Sequence, residues 1–326
     1  MASINGEVYR ETGPVRAPAP RRVLLYGLGA LWLLDGLLQM QPGMFTMDMV
    51  STIMQPAANG EPGWLHALIN WSIHLVTPHL VLFNWVVVAI QLLIGVLLFM
   101  PRKWLVDGGL WFSIVWGLLV WVLGEGIGQL LTGSATFLTG APGSVFLYVV
   151  ASVLLLLPEE RLSWWRDRRV DAATWTVALT LIAGAALQLS PVYWTSIGLA
   201  GPFGSGAMMP QPLWIRWTLS SAATLVDRAP VAANAAIIAV SLGLGILLLL
   251  RARRRWIFWA ALSWLVITWW FGQDLGMLFG GMSTDPNSAP ILALMLWAGW
   301  TARNAGVAAS VVQGTSISPP ADAPAD

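Results

Sequence analysis

Long apolar runs recur along this chain at roughly 22–40, 80–100, 104–124, 140–157, 172–189, 230–250, 256–272 and 289–302. A run of about 20 apolar residues is the length a helix needs to cross the hydrocarbon core of a bilayer. Only 10% of the 326 residues are charged and the mean hydropathy is +0.69, where a soluble chain carries about 25% charged residues. Too few charges remain to solvate a globular surface. The expected fold class is all-α: a polytopic helical membrane protein with eight transmembrane helices arranged as two parallel four-helix repeats. Cys is absent, which excludes thiol chemistry, Fe–S clusters, thiolate-bound zinc and disulfides. With three His and one Lys, Lys103, there is little material for poly-His metal or Schiff-base chemistry.

The basic residues orient the spans. Of the 17 Lys and Arg, all but Arg216 and Arg228 fall on one side of an eight-span arrangement. They lie in the N-terminal tail (Arg10, Arg16, Arg21, Arg22), at Arg102-Lys103, at Arg161, Arg166, Arg168 and Arg169, at Arg251, Arg253, Arg254 and Arg255, and at Arg303. The positive-inside rule makes that side and both termini cytoplasmic, in the inner (cell) membrane. The charge serves orientation, and no nucleic-acid partner is implied. The first run follows a Pro/Arg tail and no small-residue cleavage pattern follows it, so it reads as a retained span. The expected organisation is a disordered tail over 1–20, a first repeat over 21–158, a basic cytoplasmic linker over 159–171, a second repeat over 172–304 and a disordered tail over 305–326. Most of the 21 Trp read as interfacial or packing residues.

The repeat is visible as an offset near 150. Gln39 and Pro42 answer Gln188 and Pro191, Trp64 answers Trp214, Asn84 answers Asn234, and Gly95 answers Gly245. The Gly-rich segment 124–142 answers 272–290, with Gly124, Gly128, Gly133, Thr136, Ala141 and Pro142 recurring at one constant offset. An even number of spans per unit makes the repeat parallel, related by an axis along the membrane normal. An amphipathic stretch (64–76, 213–226) precedes the second span of each unit.

The unusual polar residues lie in the outer half of the spans or in the outer loops. Asp35 sits inside the first span with Gln39 one turn later, Glu125 closes the third span, Gln273 and Asp274 close the seventh, and Gln91 lies in the second. Ionisable groups at membrane depth are costly and mark candidate sites. Asp35 is expected to face the inside of the first bundle, near Gln39 and Gln91 or Glu125. The Gly-rich segments are expected to fold back onto the bundle, since irregular backbone at that depth must be enclosed. A metal candidate set is Met44, Met47 and Met49 with His66, His74 and His79, because thioether and imidazole suit copper. The competing reading is Met as gap-filler, and His66 and His74 lie about 12 Å apart along a helix.

The first span, Arg21 through Gly29, Trp32 and Asp35-Gly36, together with Gln91-x-x-x-Gly95 leading to Leu98 and Pro101-Arg102, resembles the DoxX/DoxD-like membrane family. The family's second span usually carries Glu where Gln91 stands, and most members are single units rather than fused pairs. The resemblance implies a four-helix unit and association with a quinone-linked sulfur oxidoreductase system; it carries over no catalytic residue. Three classes of function follow. One is an integral membrane subunit of a quinone-linked or other redox system with an outward-facing polar site. A second is a small-solute or ion transporter built from a tandem repeat. The third is a structural or assembly subunit of a larger membrane complex. The partners are the lipid bilayer and, in the first and third cases, membrane-complex subunits; the candidate cofactors are quinone and copper.

Overall fold

The computed structural model describes residues 19–157, 172–251 and 254–314, whose regular structure is all helix, with no strand among them. Twelve helical segments carry the architecture. They are α1 (Ala19–Leu38), α2 (47–58, with a π turn at Val50–Met54), α3 (Gly63–Val76), α4 (Leu80–Leu98), α5 (Lys103–Leu123) and α6 (Ser144–Leu156), then α7 (Ala172–Leu187), α8 (Ser196–Met208), α9 (Leu213–Arg228), α10 (Pro230–Arg251), α11 (Arg255–Ile267, continued by a π turn at Thr268–Gly272) and α12 (Ser288–Gly314). Among the described residues three helices are long and apolar enough to cross a membrane: Gly63–Leu98, which joins α3 and α4, then Lys103–Leu123 and Pro230–Leu250. Ser144–Leu156, Ala172–Leu187 and Ser288–Thr301 are shorter apolar helices. At 1.5 Å per residue the 13-residue α6 is about 20 Å long, less than a ~30 Å hydrocarbon core. The basic linker and the tail up to residue 18 lie outside the described residues. At the other end α12 runs to Gly314, so the tail expected from 305 starts as helix; the Ala-rich stretch after Arg303 favours that conformation.

Breakers set the boundaries. Pro42 and Pro191 open short 3₁₀ turns after α1 and α7, where the missing N–H is harmless. Thr46 and Thr195 then cap the next helix through their hydroxyls, accepting from Asp48 N at 3.2 Å and Gly198 N at 3.1 Å. Pro62 and Pro212 are extended and launch α3 and α9. In α1 and the turn that ends it, the buried residues Leu24, Leu28, Trp32, Asp35 and Gln39 recur every three or four positions, so one face carries both the apolar contacts and the acid.

That face packs on α4, as α7 packs on α10, and α12 lies against both α1 and α7. The close approaches use glycine: a Cβ on Gly95 would meet Gly29 O of α1 at 3.0 Å, and one on Gly245 would meet Ala178 O of α7 at 2.9 Å. Asn84 and Asn234, fully buried, donate to the carbonyls of Gln39 and Gln188 at 3.0 and 3.1 Å, tying the ends of α1 and α7 to α4 and α10. The core runs through both halves, from Trp32 and Tyr148 to Leu181, Phe258 and Met295.

After α5 and after the π turn of α11 the chain makes the same rare move. Residues 126–129 (Gly, Ile, Gly, Gln) have φ of 55, 54, 65 and 60°, and residues 274–277 (Asp, Leu, Gly, Met) have 50, 52, 67 and 54°. Each is one turn of left-handed backbone, which costs L-residues about 1–2 kcal/mol apiece. The chain then returns to the bundle. Trp121 Nε1 donates to Pro142 O and Trp269 Nε1 to Pro286 O, both at 2.7 Å, just before α6 and α12 begin. Pro142 therefore takes the place of Pro286, not of Pro290 as the matching Ala-Pro pairs predict. The second return segment is shorter, and the register is set by what must reach the end of α5 and α11 rather than by residue identity.

The return segments do not stay at home. Segment 133–139 lands on the second half: Ser190 Oγ donates to Gly133 O at 2.8 Å, Tyr193 OH to Ser134 O, and Thr136 Oγ1 to Gln188 Oε1 at 2.5 Å. Phe137, 2% exposed, lies where a Cβ on Gly184 of α7 would come within 2.6 Å of its own Cβ. Segment 281–287 lands on the first half, where Ser283 N donates to Gln41 Oε1 at 3.1 Å and Met282 packs over Gly43. The two segments cross.

Candidate functional site

The return of the second-half segment closes a cavity in the first half. It has a volume of about 240 Å³ and lies between α1, α2, α3, α4, α5 and the start of α6. Its sides are apolar: Met49, Ile53, Trp71, Leu75, Val87, Trp116, Leu119 and Leu123 line it. Asp35, Gln39, Ser72, Gln91, Glu125, Thr284 and Asp285 supply its polar groups. Trp71, Leu75 and Leu119 are also exposed on the outside of the helix bundle, so the wall between α3 and α5 is one side chain thick.

Asp35 is 1% exposed. Tyr148 OH donates to its Oδ1 at a long 3.4 Å, and its Oδ2 has no partner. Tyr148 stands edge-on to Trp32 at 5.1 Å, and Trp32 Nε1 and Ser152 Oγ both donate to Ser113 Oγ at 2.9 Å. This thread holds the Tyr148 ring and hence the direction of the carboxyl. Gln39 Oε1, Gln91 Oε1 and Glu125 Oε2 are likewise buried without a partner, as is the Trp116 indole N–H. Four unpartnered acceptors and one donor line a single apolar cavity. Leaving such groups unpaired costs about 1–3 kcal/mol each, which a ligand carrying the complementary groups recovers.

Glu125 terminates α5 and reaches across to the N-terminus of α6, where its Oε1 accepts from Ser144 Oγ at 3.1 Å and Val145 N at 3.5 Å. Burial, followed by the Asp285 carboxylate, pushes its pKa up to about 8, against the opposing pull of those two donors. A carboxyl in that range exchanges its proton near neutral pH.

The second half builds the same frame without the acid. A cavity of about 480 Å³ is lined by Ser221, Leu225, Ala233, Ile237, Trp264, Ile267, Thr268, Phe271 and Gly272, the counterparts by position of Trp71, Leu75, Phe83, Val87, Trp116, Leu119, Val120, Leu123 and Gly124. Gln273 occupies the place of Glu125 and makes its contacts with neutral groups, donating to Ser288 Oγ at 3.1 Å and accepting from Ala289 N at 2.9 Å. Gly184 stands where Asp35 does, and Phe137 fills the space. Trp264 Nε1 finds Ser241 Oγ at 3.1 Å, whereas its counterpart Trp116 finds nothing. The polar site lies among the helices of the first half, with Thr284 and Asp285 reaching it from the second.

Of the six polar candidates, Asp35, Gln39, Gln91 and Glu125 share the cavity. Gln273 and Asp274 do not. Gln273 also donates to Phe137 O at 3.2 Å, and Asp274 accepts from Gln211 Nε2 at 2.5 Å. Burial raises the pKa of Asp274 and this bond lowers it, with burial the larger effect. The acid changes sides of this pair between halves: the first half has Glu61 in the position of Gln211 and Gly126 in that of Asp274. Both carboxylate oxygens of Glu61 are buried and unpartnered, and burial raises its pKa.

The metal set does not assemble. His66, His74 and His79 are exposed on α3 and the turn after it, with His66 Nδ1 2.9 Å from Ala58 O. Met44 and Met49 are buried in an apolar cluster, and Met47 points outward. No group of three or more His, Cys, Asp or Glu among the described residues is placed to hold an ion. The helical spacing of the His spreads them along the surface, and Met44 and Met49 serve packing.

Asp285 was not singled out by the sequence, although it touches the site. Its signal was available: by the constant offset it pairs with Phe137, an acid against an aromatic in a segment expected to fold back. No family model, curated protein or solved structure matches the chain.

Proposed function

We propose that the chain is an eight-span protein of the inner membrane, two parallel four-span repeats with both termini cytoplasmic, and the membrane subunit of a quinone-linked redox system. The one-sided distribution of Lys and Arg supports the orientation. The paired Asn84/Asn234 ties, the two left-handed turns and the matching Trp121/Trp269 anchors favour the repeat. Reporter fusions after residues 103 and 255 should then signal from the cytoplasm, and fusions near 59, 133, 210 and 281 from outside; a consistent inversion would count against both orientation and repeat.

The observation that carries the function is the apolar cavity with unpartnered buried acceptors at Asp35, Gln39, Gln91 and Glu125. A flat, apolar molecule bearing two hydroxyl donors, a quinol, complements that arrangement. About 240 Å³ accommodates a substituted ring but no long tail. The tail would leave through the thin wall between α3 and α5 into the lipid. A quinol supplies two electrons and two protons on oxidation. This chain's own residues bind the hydroxyls, orient the ring against Trp116, exclude bulk water and take up a proton at Asp35, while Glu125, which exchanges its proton near neutral pH, releases the one it carries before it accepts the second. Electron transfer belongs to a partner subunit, since a chain without Cys offers no Fe–S or thiolate site of its own.

The test is direct binding of a decyl-tailed benzoquinol to the full chain in nanodiscs, followed by quenching of tryptophan fluorescence. Asp35→Asn should weaken binding at least tenfold, while Asp227→Asn, on the exposed end of α9, should leave it unchanged. Binding no stronger than to empty nanodiscs, or Asp35→Asn at wild-type affinity, would sink the reading.

A further inference from the structure

The cavity around Asp35 is one of three that share a residue. A second, of about 200 Å³, is lined by Glu125, Gly128, Gln129, Thr139, Gly143, Ser144, Asp285 and Asn287, among others. A third, of about 360 Å³, lies between the halves and is lined by Thr52, Pro202, Ser205, Met209, Asp274, Thr284, Asp285 and neighbours. Asp285 lines all three, and Glu125 lines the first two.

We propose that Asp285, Glu125 and Asp35 form a proton path from the non-basic end of the bundle into the first-half cavity, with Asp285, contributed by the second half, as its entry. The proposal deepens the reading of that cavity as the working site and makes no assumption about which ligand fills it.

Three observations support the path. The groups along it are acids: Asp274 and Asp285 in the outer cavity, Glu125 and Asp285 in the middle one, and Asp35 with Glu125 and Asp285 in the inner one. No Lys, Arg or His lines any of the three among the described residues. Among the described residues the charged groups facing Asp35 are Asp285 and Glu125, and the Tyr148 hydroxyl is its donor, so no described cation neutralises it in place. Cation entry is favoured and anion entry opposed. Second, Asp35 Oδ2 and Glu125 Oε2 are buried and unpartnered, which leaves a site for a proton on each. Third, Asp285 is held in position rather than free. Its Oδ1 accepts from Asn287 N at 2.7 Å and its Oδ2 from Thr284 Oγ1 at 2.8 Å, and each oxygen keeps a second lone pair for water or a proton. The second-half counterpart of Asp285 is Phe137, which plugs the equivalent route. The acid-to-aromatic exchange thus separates an open half from a closed one.

Infrared spectroscopy of the full chain in nanodiscs, without quinol, tests this. Near pH 7 a protonated-carboxyl C=O band should be present and should be lost or reduced in Glu125→Gln. On transfer to D₂O the band should shift within the mixing time in the wild-type protein. In Asp285→Asn the shift should slow at least tenfold, and Asp285→Glu should restore it. Asp285→Ser, which removes the carboxylate with less bulk, should behave as Asp285→Asn and guards against a folding artefact. Exchange in both Asp285 variants at the wild-type rate overturns the path. So does the lack of any protonated-carboxyl band sensitive to Glu125→Gln, the outcome expected if the acids are ionised around a metal cation. Because no quinol is present, failure here leaves the quinol reading intact, and failure of quinol binding leaves this result intact.

Discussion

Replacing Gly128 by alanine should cost about 3 kcal/mol or more and leave little folded protein after extraction from the membrane. The backbone at Gly128 has φ +65°, and a Cβ there would stand 2.1 Å from the carbonyl oxygen of Pro142 and 2.5 Å from its carbon. The left-handed conformation alone costs an L-residue about 1–2 kcal/mol. Displacing a backbone carbonyl adds about 1–3 kcal/mol, because no flexible side chain can yield. The same displacement pulls Pro142 from the Trp121 indole and disturbs the approach of Ser144 to Glu125. Gly133 provides the control: its φ is +75°, with nothing within 4 Å of the added carbon, so Gly133→Ala should show only the conformational cost of about 1–2 kcal/mol. Melting temperatures of the two variants in the same detergent measure the difference. Equal melting temperatures would mean that the close return of the segment over Gly128 does not exist in the membrane.

Phe137→Ala should destabilise by about 3–5 kcal/mol, the range for a large aromatic removed from a packed site. Phe137 is 2% exposed and fills the hollow over Gly184, so its removal leaves a void beside α7. The surrounding groups cannot collapse readily into it, since Leu138 O is fixed against Gly272 and Thr136 is bonded to Gln188. A loss below about 1 kcal/mol would indicate an interior that repacks, and would weaken the view that this side chain joins the halves. Phe137→Leu, which keeps most of the volume, should recover more than half of the loss.

The distribution of apolar residues made the helices legible. The run at 104–124 corresponds to α5 and the run at 80–100 to α4, each to within two or three residues, because hydrophobic length and Pro breaks are local properties. The grouping of Asp35 with Gln39 and Gln91 was legible as well, since helical period places Asp35 on the Trp32 face and charge is driven off the lipid side. Three things were not legible. Ile127 and Leu275 adopt positive φ, which no propensity of a branched apolar residue suggests; only the flanking glycines hinted at a turn. The return register was obscured by the second Ala-Pro pair, whose identity to the first is unrelated to position. The landing site of each return segment was invisible, because periodicity says which face of an element is apolar and nothing about which neighbour a loop will cover. Asp285 was missed for that reason, and the copper set was proposed because composition cannot tell a buried Met from a liganding one.

The crossing of the two return segments bears on how the chain can change. A substitution in 281–287 alters the chemistry of the first-half cavity, and one in 133–139 alters that of the second. Each half therefore carries the segment that faces the other's cavity, so either cavity can be retuned without disturbing the helices that enclose it. Separated into two polypeptides, neither half would possess its own lid, and each would regain one only by pairing with the other.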